Sequence, residues 1–241
     1  METPQQREVL LQALEETGIT VAREQLDMLA RHLWLVLERN RTLNLTRIDS
    51  WEDGCYLHVA DSLLLQNAFD AAPRGSFVDM GTGAGFPGVP MAIVSGRPAT
   101  LVDSVRKKAA AVGDFVAELG LADRVRVDSS RVEDLARKER GRYAVVCARA
   151  VAQTNVLVEY AAPLLRGGGR LVVAKARPTE DEVAAADRAA ELCGLRNVSR
   201  ETFELPGGRG HREVLSYERV GKPRIKLPRA TGMARKKPLG V

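Results

Sequence analysis

The sequence predicts an α/β fold in which a doubly wound, mostly parallel sheet of seven strands follows an N-terminal helical cap. Five short apolar runs alternate with helix-length segments, and they lie at 76–80, 99–104, 124–130, 143–148 and 169–175. Such alternation is typical of a parallel sheet with helices on both faces. Two later apolar runs, 197–205 and 212–220, are expected to close the sheet as an antiparallel pair.

Helices are predicted wherever apolar residues recur every three or four positions. Before the first strand these are 4–17, 21–42 and a third at about 52–67. Between and after the strands they are 88–95, 105–120, 131–138, 154–165 and 179–193. We therefore divide the chain into a helical cap (1–72), a sheet domain (73–220) and a basic C-terminal arm (221–241).

The charge is distributed unevenly along the 241 residues, whose net charge is +5. After Glu218 there are eight basic residues and no acid, which leaves 28 basic against 31 acidic residues before them. A neutral-to-acidic body with a basic arm indicates a polyanionic partner contacted by the arm. A solvated, disordered tail would have the same composition.

Composition points to a cytoplasmic protein without a membrane span or a metal. No apolar run approaches the length of a transmembrane helix, and the N-terminus lacks the basic-then-apolar order of a signal peptide. The three cysteines are an odd number without paired spacing, which favours reduced thiols over disulfides or a zinc site.

A glycine-rich loop follows the first strand, at the edge of the sheet where open α/β folds bind ligands. Residues 83–88, GAGFPG, match the G-x-G-x-x-G pattern of dinucleotide sites. Pro87, however, lacks the N–H that the first helical turn would offer to a pyrophosphate. The chain also lacks the G-K-[ST] of a phosphate-binding P-loop.

Two acids at strand ends favour a different ligand. Asp79 precedes the glycines and suits a ligand with a cationic end, and Asp103 ends the second strand, where an acid accepts the hydroxyls of a ribose. A ribose, a cationic amino-acid tail and no phosphate describe S-adenosylmethionine. We therefore predict a site for this cofactor that contains Asp79, Gly81, Gly83, Gly85 and Asp103. The alternative is that the glycines only form a tight turn.

Further candidates follow the later strands. Val132 and Glu133 are placed to flank the adenine, and the alternative is that Glu133 is an ordinary surface acid. Arg149 reaches the rim where an acceptor approaches, and the alternative is that it pairs with a surface acid. His58 and Asp61 share one face of a cap helix. They border the methyl-transfer site or merely pack the cap onto the sheet.

Several motifs, in this order, resemble the ribosomal small-subunit methyltransferase G family, also called glucose-inhibited division protein B. They are LNLT (43–46), HVADSL (58–63), VDMGTGAGFPGVPMAI (78–93), LVDSVRKK (101–108), SRVEDL (130–135), ARAVA (148–152), GGRLVVAK (168–175) and LPRATGMARKKPL (227–239). The resemblance runs from about residue 35 to the end. Leu57 departs from it, because the family usually has a basic residue there.

The resemblance implies a class I, Rossmann-like methyltransferase that uses S-adenosylmethionine to methylate N7 of guanine 527, in the 530 loop of bacterial 16S rRNA. By position, Gly81, Phe86, Val132, Glu133 and Arg149 align with the family's cofactor-contacting residues. N7 of guanine has a free lone pair, so no general base is needed and catalysis comes from positioning. We assign Arg149, His58 and Asp61 to the catalytic site.

Phosphate contacts are assigned to five basic residues: Lys175, Arg229, Arg235, Lys236 and Lys237. The expected partner is 16S rRNA in the 30S subunit, and the protein is expected to be a monomer. Two alternatives stay open: a methyltransferase of the same fold acting on another RNA or a small molecule, and a non-catalytic RNA factor that binds the cofactor. Transfer to carbon-5 of a pyrimidine would need a cysteine nucleophile, and Cys147 lacks the preceding proline.

Overall fold

The computed structural model describes residues 2–241 and contains one seven-stranded sheet with helices on both faces. The strands are β1 (Phe77–Met80), β2 (Ala99–Val102), β3 (Val125–Asp128), β4 (Tyr143–Arg149), β5 (Leu165–Lys175), β6 (Leu195–Leu205) and β7 (Gly210–Arg219). Their order is β3-β2-β1-β4-β5-β7-β6, and β7 is antiparallel to both of its neighbours. The predicted doubly wound sheet with a closing antiparallel pair is confirmed.

The helices fall close to their predicted positions. They are α1 (Pro4–Glu16), α2 (Arg23–Leu43), α3 (Trp51–Gly54), α4 (Asp61–Leu63), α5 (Gln66–Asp70), α6 (Gly88–Ser95), α7 (Arg106–Glu118), α8 (Val132–Lys138), α9 (Thr154–Ala161), α10 (Glu180–Cys193) and α11 (Met233–Lys236). The single helix expected at about 52–67 is wrong in two respects. A π-helical turn, Cys55–Ala60, separates α3 from α4, and a turn at 64–65 separates α4 from α5. π-Helical turns have backbone hydrogen bonds between residues five apart and are frequent at functional sites.

Local sequence explains several of these boundaries. The Thr3 hydroxyl and the Gln6 side chain form a capping box that begins α1. Thr179 caps α10, and Gly96, in the left-handed region, ends α6. The fifth strand starts earlier than predicted because Leu165 already pairs with Tyr143, and a register shift separates this pair from the regular pairing with β4 that begins at Arg170.

Two apolar cores lie on opposite faces of the sheet. The core on one face joins the cap helices to α6, α7 and side chains such as Phe77 and Cys147. The core on the other face joins α8, α9 and α10 to side chains such as Val78 and Val146. All four residues of β1 are buried because it lies at the centre of the sheet between these two layers.

The C-terminal arm is ordered along the second core. Leu227 and Ala234 are buried there, and the Asn155 amide donates to the backbone oxygen of Leu239 over 2.8 Å. The disordered-tail alternative is therefore wrong for this segment. Within residues 2–241, no helix has the length and apolar character needed to cross a bilayer.

Candidate active site

A cavity of about 440 Å³ opens at the carboxyl ends of the central strands. The strand order reverses between β1 and β4, and ligands of doubly wound sheets bind at this switch point. The lining combines the glycine loop, the ends of β2 and β4, the start of α8 and parts of the cap. Among the lining residues are Thr46, His58, Gly81, Gly83, Phe86, Asp103, Val132, Glu133, Arg149, Tyr160 and Arg235.

Asp103 fixes the shape of the glycine loop. One of its carboxylate oxygens accepts from the backbone N–H of Gly83 at 3.0 Å, and the other accepts from that of Val105 at 2.8 Å. Gly83 has φ +60°, which glycine adopts without steric cost. Asp103 also lines the cavity, so it joins the loop to the end of β2 at the place predicted for a ribose.

Asp79 lies beneath the loop rather than on the cavity wall. It is 0% exposed, and its Oδ2 accepts from the backbone N–H of Gly88 at 2.9 Å. Burial raises the pKa of this carboxyl to about 6, although the Gly88 hydrogen bond acts in the opposite direction. Asp79 is not among the residues that line the cavity, and its contact with the ligand stays a prediction. It holds the start of α6 under the loop.

Gly88 accounts for the unusual Gly-Phe-Pro-Gly segment. A Cβ at this position would lie 2.4 Å from Leu101 Cδ2 and 2.7 Å from the Asp79 carboxylate. Only glycine allows α6 to approach β1 and β2 so closely. Gly88 is thus a packing requirement of the loop.

Phe86 joins the glycine loop to the cap. Its ring is stacked on His58 with centroids 4.4 Å apart and planes 4° apart. The ring of His32, on α2, packs against Phe86 at 4.6 Å. The spacing of His32 matches no ligand pattern and predicts no role for it, yet this fully buried ring packs directly against Phe86.

Arg149, at the end of β4, is bound by the cap. Its guanidinium donates to Asp61 Oδ2 at 2.7 Å and to the backbone oxygen of Leu57 at 2.9 Å. Arg212, on β7, donates to the other Asp61 oxygen at 3.0 Å. One buried carboxylate thus bridges two guanidiniums from different strands. Arg212 was not predicted, because no local motif marks a residue 151 positions from its partner.

His58 is a neutral group in this cluster. Its Nε2 lies 2.9 Å from the Thr46 hydroxyl, and its Nδ1 lies 3.3 Å from Arg149 Nη2. Burial, and secondarily the Arg149 charge, lower the pKa of His58 to about 3. The predicted trio of Arg149, His58 and Asp61 is therefore brought together, with His58 uncharged near neutral pH.

Val132 and Glu133 reach the cavity from the start of α8. Glu133 is 6% exposed, and its Oε1 accepts from the backbone N–H of Gly232, in the arm, at 2.8 Å. It is therefore a buried partner of the arm and not an ordinary surface acid. Arg235, three residues after Gly232 in the arm, also lines the cavity.

The five predicted phosphate contacts divide into three groups. Lys175 pairs with Glu182 at 2.7 Å, and Arg229 forms two hydrogen bonds with the buried Glu159. Arg235 lines the cavity and, like Lys236 and Lys237, is exposed. The structure thus places Lys175 and Arg229 in ion pairs and leaves Arg235, Lys236 and Lys237 exposed to solvent.

Cys147 lies beside Asp79 in the sheet, away from the cavity wall. Its thiol is buried, and that burial, followed by the charge of Asp79, raises its pKa well above the ordinary value. A thiolate nucleophile is disfavoured there. Among residues 2–241, no group of three or more His, Cys, Asp or Glu is arranged to hold a metal ion.

The chain matches one known protein family. A model described as rRNA small subunit methyltransferase G matches residues 9–212. The chain belongs to this family. Proteins named ribosomal RNA small subunit methyltransferase G are 37% identical in Chloroflexus aggregans, over 96% of this chain and 97% of theirs, and 38% identical in Deinococcus radiodurans, over 98% and 94%.

Solved structures agree on the fold of this methyltransferase G family member. A Burkholderia thailandensis 1,6-didemethyltoxoflavin-N1-methyltransferase with bound S-adenosylhomocysteine superposes with a TM-score of 0.53 at 15% identity, covering 84% of this chain and 92% of that one. A geranyl diphosphate methyltransferase in complex with SAM gives 0.52 at 16% identity, over 75% and 95%. The predicted methyltransferase-type α/β fold is confirmed.

Proposed function

We propose that this protein transfers a methyl group from S-adenosylmethionine to N7 of guanine 527 in the 530 loop of 16S rRNA. One observation carries the proposal. In a member of the methyltransferase G family, the glycine-loop cavity meets a positioned Arg149 at its rim, held by Asp61 of the cap. The cavity can hold the methyl donor, and the rim is where the acceptor approaches.

The cavity residues fit S-adenosylmethionine. The cavity has a volume of about 440 Å³, which is in the usual range for small-molecule sites. The cavity wall offers the carboxylates of Asp103 and Glu133 together with the guanidinium of Arg149. These groups can form hydrogen bonds or ion pairs with the hydroxyl, amino and carboxylate groups of the cofactor. When bound, the cofactor supplies a methyl group activated on a sulfonium. Gly83 leaves the loop backbone open to close approach.

The acceptor side works by positioning. The lone pair of guanine N7 is available in the neutral base, so no side chain has to remove a proton. The neutral His58 is consistent with that requirement, because its low pKa makes it a poor proton carrier near pH 7. We assign Arg149 to orienting the base at the cavity rim.

Asp61 has an electrostatic part in this proposal. Methylation at N7 makes the purine cationic, and an unopposed guanidinium at the rim would repel it. The Asp61 carboxylate, 2.7 Å from Arg149, offsets that charge while fixing the direction of the guanidinium. The site can therefore hold an arginine for orientation and still tolerate a cationic product.

The test compares acceptors. Purified protein and methyl-labelled S-adenosylmethionine are incubated with 30S subunits that lack this modification, with naked 16S rRNA, and with an RNA-free cell extract. The RNA is then digested to nucleosides. We expect label in 7-methylguanosine from a ribosomal substrate, and its loss in Arg149→Ala but not in the surface variant Arg39→Ala. Label only in the RNA-free extract would replace the proposal with a small-molecule methyltransferase.

A second outcome separates catalysis from binding. Cofactor binding measured calorimetrically, without label in any of the three acceptors, would favour the non-catalytic RNA factor and overturn the proposal. Label in another nucleoside would retain RNA methylation and overturn the assignment of N7.

A further inference from the structure

We propose that the end of the arm, residues 227–241, is a clasp that completes the cofactor cavity, with Arg235 as its positioning residue. This C-terminal clasp lies beyond residue 212, where the match to the family model ends. The inference rests on the proposed cofactor cavity and is independent of the acceptor. It changes the role of Arg235 from contact with RNA phosphate to support of the cavity.

The clasp is anchored at both of its ends. At the start, Arg229 donates through Nε to Glu159 at 2.7 Å, and the Glu159 residue is only 3% exposed. At the other end, the Asn155 amide and the Arg188 guanidinium each donate at 2.8 Å to a backbone oxygen of the clasp. Together with the burial of Leu227 and Ala234, these contacts hold the intervening residues against α9 and α10.

Arg235 reaches from the clasp to the loop after β4. Its guanidinium donates to the backbone oxygen of Val151 at 3.0 Å and lines the cavity beside Tyr160. Val151 follows Ala150, whose φ of +55° is uncommon for a residue with a side chain. Such a conformation persists only when surrounding contacts impose it, and the Arg235 hydrogen bond is one of them.

The loop held by Arg235 touches the two functional parts of the site. Arg149 immediately precedes Ala150, so the conformation of this loop determines the position of the Arg149 backbone, from which its side chain extends. Val151 packs against the glycine loop, because a Cβ on Gly81 would lie 2.7 Å from Val151 Cγ2. Arg235 therefore acts through Val151 on the glycine loop that forms the cavity floor.

A second contact ties the clasp to the cavity from the other side. The backbone N–H of Gly232 donates to Glu133 Oε1 at 2.8 Å, and Glu133 itself lines the cavity. The clasp thus contacts the start of α8 through Glu133 and the loop after β4 through Val151. A cavity assembled in this way needs the clasp in place before the cofactor is bound tightly.

The experiment measures cofactor affinity in the absence of RNA. Isothermal titration calorimetry with S-adenosylmethionine is applied to the parent protein, Arg235→Ala, Arg235→Lys and Lys226→Ala. Lys226 is an exposed residue of the same arm, so its variant matches the loss of charge. Thermal unfolding of each variant without ligand reports on folding.

The inference predicts that Arg235→Ala raises the Kd for the cofactor about tenfold or more, since a charge-assisted hydrogen bond to the loop is lost. Arg235→Lys keeps a donor and recovers most of the affinity, and Lys226→Ala binds as the parent does. A parental Kd in Arg235→Ala would overturn the inference, whether or not its Tm falls. Equal weakening by Lys226→Ala would overturn it as well, because net charge alone would then explain the effect.

Discussion

The guanidinium of Arg149 and the carboxylate of Asp61 form a buried hydrogen-bonded ion pair at 2.7 Å, which joins the end of β4 to the cap. Their side chains are 13% and 7% exposed. The π-helical turn of the cap directs the Leu57 carbonyl at the same guanidinium. The rim of the cavity is therefore built from two elements that lie 88 residues apart in the chain.

Asp61→Asn should weaken both the fold and the proposed methyl transfer. The substitution removes the charge that opposes two guanidiniums, and breaking a buried pair of this kind costs about 3–5 kcal/mol. Asp114→Asn is the matched control, because Asp114 pairs with Arg39 at 3.1 Å in an exposed position. There we expect a change below about 1 kcal/mol. Chemical denaturation and methyl-transfer rates check both variants, and equal effects would contradict the role given to Asp61.

Gly88→Ala should disrupt the glycine loop. Its new Cβ would collide with Leu101 and with the Asp79 carboxylate, and neither can move without displacing the sheet. Gly113→Ala, within α7, meets nothing within 4 Å and should stabilise the protein by about 0.5–1 kcal/mol. Thermal unfolding and cofactor titration distinguish the two. Parental cofactor affinity in a folded Gly88→Ala protein would refute the packing argument.

The raised pKa of Asp79 leads us to expect an unusual dependence of protein stability on pH. Its pKa in the folded protein is raised to about 6, so between pH 4 and 6 the folded state binds more protons than the unfolded state. The contribution of Asp79 to stability is thus present at low pH and is lost as pH rises through about 6. Asp79→Asn removes this loss while keeping an oxygen that can accept from Gly88.

The corresponding measurement is the difference in unfolding free energy between Asp79→Asn and the parent at pH 4 and pH 7. We expect the difference to shift in favour of the variant by roughly 2–3 kcal/mol between these pH values. Comparing the two proteins cancels the opposing titration of the buried histidines. A difference that does not change with pH would show that Asp79 titrates normally.

Lys236 and Lys237 are exposed predicted phosphate contacts that do not line the cavity. The double variant Lys236→Ala/Lys237→Ala should bind its ribosomal substrate more weakly and with a smaller dependence on salt. Each phosphate contact contributes about 0.7–0.9 to the slope of log K against log salt, so the slope should fall by roughly 1.4–1.8. Arg142→Ala is the control, because Arg142 precedes β4 and so lies at the amino ends of the parallel strands, away from the cavity. An unchanged slope would remove the lysines from the RNA interface.

Much of the fold could be predicted from local sequence. The apolar runs give the strands, and the Gly81–Gly85 spacing after β1 gives the position of the cavity, because the carboxyl ends of parallel strands share one edge of a sheet. Arg149, at the end of β4, follows from the same rule. His58 and Asp61 could be paired because residues three apart share a helical face.

The remaining features depend on tertiary contacts that local spacing does not contain. Asp79 has the spacing of a ligand contact, but its burial under Gly88 is decided by the packing of α6 on the sheet. Arg212 and Arg235 act on Asp61 and Val151, which are 151 and 84 residues away. Composition marked the arm as basic, yet only the folded chain separates its paired arginine, Arg229, from its exposed lysines.

The most direct measurement maps the methylated atom on the ribosome. 30S subunits from a strain without this modification are incubated with the protein and S-adenosylmethionine, and the 16S rRNA is cleaved by chemistry specific for 7-methylguanine. Our account predicts one new cleavage, at guanine 527, that depends on both protein and cofactor and is lost in Arg149→Ala. Cleavage at another position, or label in the rRNA without cleavage at guanine 527, would contradict it.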